Sequence, residues 1–115
     1  MFNLKFYTSL VINLFVSVSL YGQTVNPEIQ AADSLVKNKE YKLAENLYLE
    51  VITKEPGNNL AIYKLASLYY LQKKYDKAIK NYLILAPHKN PTVLYNLACS
   101  YSLNNNKSEI GRAHV

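Results

Sequence analysis

Tryptophan is absent from this chain of 115 residues, and cysteine occurs once. The lone Cys99 permits no internal disulfide and no cysteine-based metal cluster. It sits in an apolar helical stretch, where it reads as a small buried hydrophobe. A nucleophilic role would call for a neighbouring histidine, and the two histidines are His88, in a turn, and His114, near the end. Glycine and proline are scarce, at three and four. So few glycines argue against a loop-rich all-β fold and against a phosphate-cradling loop, and favour helices joined by short turns.

Arginine is missing between Gln23 and Glu109. A nucleic-acid binder concentrates basic residues on one face, with arginine for two-pronged contacts. The net charge of +5 therefore does not indicate such a partner. Removing Lys5 and Arg112, at the two ends, leaves 11 of the 13 cations against 8 acids, so the central excess is small. Lys73, Lys74, Lys77 and Lys80 cluster, as expected for a solvated helix face and turn. Glu40, Glu45, Glu50 and Glu55 recur every five residues. They rotate around a helix instead of converging, which suits neither a metal site nor an acid–base pair. No enzyme, metal or cofactor is expected from these residues.

Half of the residues are apolar, so disorder is not expected. Met1 to Ser9 carries one cation and no acid, and Leu10 to Tyr21 reads LVINLFVSVSLY. That run of 12, as a helix, reaches about 18 Å, against roughly 30 Å of bilayer hydrocarbon. A short apolar run behind a weakly positive start reads as a secretory signal peptide over residues 1–22, cut after Gly22 or Ser19. The expectation is a periplasmic or secreted chain, with no stable membrane insertion once the leader is removed.

What the chain has in quantity is tyrosine, 11 in all, and most of it is periodic. Tyr41, Ala44, Tyr48 and Val51 correspond to Tyr75, Ala78, Tyr82 and Leu85, each pair 34 residues apart. Tyr63, Leu65, Ala66 and Tyr69 match Tyr95, Leu97, Ala98 and Tyr101 at an offset of 32. The two-residue loss falls between Tyr82 and Tyr95, beside Pro87 and Pro91, where a turn tolerates it. Within each unit the spacing is helical, as in Ile62, Leu65, Ala66 and Tyr69. The breaks at Glu55–Asn59 and Pro87–Pro91 predict helices over 26–38, 41–54, 59–72, 75–86 and 91–103, with another starting near Lys107. Short connections make neighbours antiparallel hairpins.

In these positions the sequence resembles the tetratricopeptide repeat family. The best unit supplies Ala66, Tyr69, Tyr75, Ala78 and Tyr82; the first supplies Ala32, Leu35, Tyr41, Ala44, Tyr48 and Pro56; a third offers Ala98 and Tyr101. Tryptophan is missing from the pattern, and Asn90 stands at the exit-proline position of the second unit. The resemblance implies an all-α fold of stacked hairpins, a short right-handed solenoid of about two and a half repeats (25–58, 59–90 and an incomplete 91–109). It also implies close-packed alanines at 32, 44, 66, 78 and 98, with hole-filling tyrosines at 48, 69, 82 and 101.

Residues 110–115 read IGRAHV and leave the repeat pattern. The same six residues are the translation of a common sequencing-library adapter, so this tail is expected to be non-native.

The resemblance implies a scaffold that binds a protein or peptide partner in a concave groove. Ile29, Asp33, Val36, Tyr63, Ser67, Tyr70, Tyr95, Cys99 and Ser102 would line it, with Tyr63, Tyr70 and Tyr95 as the aromatic anchors. The family's carboxylate clamp is not expected, because its positions here read Ile29, Asp33, Lys64, Thr92 and Asn96, and Asp33 would repel a carboxylate. Two other readings stand beside the scaffold. One is a leader segment of a longer exported enzyme; the other is an oligomerisation module with self-association.

Overall fold

The computed structural model describes residues 26–113, with side chains through residue 106. The expected leader at 1–22 lies outside the described residues, as do the last two residues of the expected tail. Five α-helices follow one another: α1 (Pro27–Lys37), α2 (Tyr41–Lys54), α3 (Asn59–Leu71), α4 (Tyr75–Leu85) and α5 (Pro91–Ala113). One 3-10 turn, Ala86–His88, stands between α4 and α5. No strand occurs among the described residues. The all-α repeat architecture is as the spacing predicts.

Local chemistry sets these boundaries. Asn26 caps α1 by accepting from the Glu28 amide at 2.8 Å, and Asn90 caps α5 by accepting from the Thr92 amide at 2.9 Å. In both, a proline follows at the first helical position, where its missing N–H is no loss. Asn58 caps α3 through the Ala61 amide, 3.0 Å away. The tight hairpin turns are alike. The Glu40 amide reaches back to the Leu35 carbonyl at 2.9 Å, and the Lys74 amide to the Tyr69 carbonyl at 2.8 Å. Each turn needs one left-handed residue, and lysine fills it, at Lys39 and Lys73, both with φ 61°.

Each helix packs chiefly on its neighbours in sequence. Ala32, Ala44, Ala66 and Ala78 are fully buried, so the backbones meet closely at those positions. Tyr48, Tyr69 and Tyr82 fill the adjoining space and are buried as well.

The third unit differs from expectation. Ala98 is exposed, and Leu94 and Tyr101 keep 42% and 44% of their surface in solvent. The side of α5 that meets α4 is instead built on Val93 and Ser100, which are buried. Among the described residues no helix lies against the Leu94–Ala98–Tyr101 side. Nor does the chain turn after Leu103: α5 runs unbroken to Ala113, carrying residues 110–113 with it. The earlier turns lead into tyrosines, Tyr41 and Tyr75, and the Tyr75 ring packs edge-on against Tyr70 with centroids 5.7 Å apart. Lys107 occupies the corresponding position in the third unit, so the aromatic wedge behind the turn is missing.

Candidate functional site

The first helices of the three units, α1, α3 and α5, are linked by side chains that reach from one unit to the next. Asp33 on α1 accepts from the Tyr48 hydroxyl of α2 and from Lys64 Nζ of α3, at 3.0 Å. One unit on, the counterpart residues make a different, uncharged set of contacts. Ser67 on α3 lies 3.1 Å from the Tyr82 hydroxyl of α4, and Asn96 on α5 donates to the Tyr63 hydroxyl at 3.3 Å. Asp33 and Ser67 are repeat-mates, as are Tyr48 and Tyr82, and Lys64 and Asn96. Each junction thus has a buried tyrosine held by a polar residue of its own hairpin, while the next hairpin reaches Asp33 at the first junction and Tyr63 at the second. Both phenols are held protonated. Burial chiefly raises the Tyr48 pKa, with the Asp33 hydrogen bond and charge adding to it. Burial also raises that of Tyr82, against opposing hydrogen bonds from Ser67 and Asn96.

Two open hollows flank α3. The larger, about 770 Å³, lies between α1 and α3, with Val36, Lys37, Tyr70, Leu71 and Lys73 in its walls and the Asp33–Tyr48–Lys64 node in its lining. The smaller, about 410 Å³, lies between α3 and α5 and is bounded by Leu60, Tyr63, His88 and Val93. Their walls combine apolar surface with a few polar groups, which suits recognition of a polypeptide segment.

Residues 60–86, spanning α3 and α4, match the family model described as tetratricopeptide repeat. The chain contains a tetratricopeptide repeat. No curated protein and no solved structure matches the chain.

Of the expected groove residues, Asp33, Val36, Ser67 and Tyr70 come together in the larger hollow. Tyr63 faces the smaller one, seven residues up the same helix from Tyr70. Ile29 lies in the core at 4% exposure and offers a partner almost no surface. Tyr95 is 70% exposed on α5, where Cys99 raises its phenol pKa through a hydrogen bond. Cys99 is half-buried and Ser102 exposed.

Lys37, Lys73 and Tyr75 also line the larger hollow, and sequence reasoning did not place them there. Lys37 has Leu71 as its repeat-mate, and both enter the same hollow, so the 34-residue offset could have found them. Glu45 was also missed as a structural residue. It is buried on α2 and accepts from the Tyr69 hydroxyl of α3 at 3.1 Å. The signal was its repeat-mate Ile79, which marks the position as inward-facing.

Among the described residues, no three His, Cys, Asp or Glu side chains gather where they could hold a metal ion. No described helix is long and apolar enough to cross a membrane.

Proposed function

We propose that this chain is a scaffold that holds a segment of a partner protein in the hollow between α1 and α3. The observation that carries the reading is the hollow itself. It is about 770 Å³, open along one side, and walled by Val36, Tyr70, Leu71 and Tyr75 with lysines at its edge. Exposed aromatic and aliphatic surface of this kind anchors a partner, and the polar rim orients it. Tyr70 is the principal anchor, with Ser67 beside it and Tyr63 extending the contact toward α5.

A photo-crosslinking amino acid at position 70 of the full chain, expressed in its own cell, tests this reading. The expected result is a discrete crosslinked partner that is lost when Ser67→Arg fills the hollow. Crosslinking from position 83, on the exposed side of α4, with none from position 70, would end the proposal.

The same reading has the chain acting outside the cytoplasm, with residues 1–22 as a removable leader. Support comes from the apolar run Leu10 to Tyr21 behind Lys5. N-terminal sequencing of the mature chain should begin at Gln23 or Leu20. A mature chain that still begins at Met1 in the cytoplasm would overturn it.

A further inference from the structure

The lining of the larger hollow changes character along its length. It runs beside α1 and α3 from Asp33 and Lys64 to the hairpin turns that follow Lys37 and Leu71. At its inner end the charge is already matched, with Lys64 Nζ 3.0 Å from Asp33 Oδ2. The middle is apolar, formed by Val36, Tyr70 and Leu71, and Leu71 keeps 54% of its surface in solvent. At the outer end stand Lys37, the last residue of α1, and Lys73, in the turn after α3. Both are exposed, and among the described residues neither belongs to an ion pair. The two turns, residues 38–40 and 72–74, add Lys39 and Lys74 against Glu40 alone. This end of the hollow is therefore positive, and it attracts carboxylates.

We infer that the occupant of the hollow is an internal stretch of a second protein, in which acidic side chains stand close in sequence to an apolar one. The apolar side chain lies on Tyr70 and Leu71, and the carboxylates meet Lys37 and Lys73 from opposite walls. Asp33 fixes this polarity, because it repels an acid at the inner end. From Lys64 to Leu71, α3 rises about 10 Å, the reach of about three residues of extended chain. The acidic and apolar residues therefore fall within about three positions of each other. A phosphate backbone would leave the apolar middle unfilled, and lysines lack the two-pronged fork of arginine. Lys37 and Lys73 are not the carboxylate-clamp positions, which read Ile29, Asp33, Lys64, Thr92 and Asn96. A hollow open along one side lets the chain pass through, so it takes side chains and not a chain end. This inference rests on the groove reading and adds the chemistry of the occupant to it.

Random-sequence peptides displayed on phage and selected against the full chain provide the test. The enriched sequences should pair an apolar residue with Asp or Glu at that spacing. One of them, made as a labelled synthetic peptide, should bind at least about tenfold more weakly to Lys37→Glu with Lys73→Glu, with helical circular dichroism unchanged. Added salt should weaken its binding to the parent chain. Selection against the charge-reversed variant should enrich Lys and Arg in place of the acids. Peptides that lose affinity on Tyr70→Ala yet ignore the lysine reversal would refute the acidic preference and leave the groove reading standing. No enrichment, or peptides indifferent to both Tyr70→Ala and Ser67→Arg, would remove the two together. Binding lost on amidation of the peptide C-terminus would assign the lysines to a chain end and refute the inference. So would a sedimenting mass that rises from 13.1 kDa toward twice that value and falls back on Ser67→Arg, which would place a second copy in the hollow.

Discussion

Lys64 Nζ lies 3.0 Å from Asp33 Oδ2, so the second hairpin is fastened to the first through a carboxylate that already holds the Tyr48 hydroxyl. The two contacts differ in weight. The ion pair is one-third exposed at both ends, which leaves it worth well under about 1 kcal/mol. The phenol is 1% exposed, so its partner matters more.

Asp33→Leu should cost about 2 kcal/mol, because it strands the buried Tyr48 hydroxyl. Asp33→Ser installs the residue that the second unit uses at Ser67 and should cost less than about 1 kcal/mol. Lys64→Met should cost less still. Urea unfolding of the three variants gives the order, and equal losses for Leu and Ser would contradict it.

Lys39 and Lys73 hold left-handed backbone at the two hairpin turns, where a side chain is strained. Lys39→Gly and Lys73→Gly should each stabilise the protein by about 0.5–1 kcal/mol, the relief of the strain exceeding the added freedom of the unfolded chain. Thermal melting of each variant checks the sign.

Ala78 and Ala98 contrast a covered helix with an uncovered one. Ala78→Leu forces a side chain into a filled contact and should cost about 1–3 kcal/mol. Ala98→Leu, on the exposed face, should change the stability of one copy by no more than about 0.5 kcal/mol. Melts at the lowest usable concentration separate this from any effect on association.

Alkaline pH should unfold the protein through its buried phenols. Burial, with the charge and hydrogen bond of Glu45, raises the Tyr69 pKa from the ordinary 10.0 to about 12, and the shifts of Tyr48 and Tyr82 have the same sign. A raised phenol pKa means the folded state keeps a proton that the unfolded chain gives up. The stabilisation is complete below pH 10 and is lost as pH rises from 10 through about 12. The urea midpoint should fall across that window, with Tyr69→Phe flattening part of the slope. Ultraviolet titration should show these phenols ionising only as the helices melt.

Most of the fold was legible because its determinants are local or periodic. Asn26–Pro27 and Asn90–Pro91 mark helix starts by capping chemistry alone, and Pro56–Gly57 ends α2 the same way. Ala44 with Ala78, and Tyr48 with Tyr82, announce their burial by recurring 34 residues apart. Glu45 was read only as one of a rotating series of acids; its partner, the Tyr69 hydroxyl, belongs to the next hairpin, and its repeat-mate Ile79 was the sign that it faces inward. Of the site, Tyr70 and Ser67 followed from register, whereas Ile29 shares that register and turns into the core.

Register, helix type and the identity of the close-packing residues were thus set by the order of the amino acids, since each depends on capping groups and on 3.6-residue geometry. Which copies of a repeated position are covered was decided only in three dimensions. Ala66 and Ala98 are the same residue at the same place in the repeat, and one is buried while the other meets solvent. The difference is whether another helix lies alongside, and burial belongs to the pair of surfaces, not to either residue.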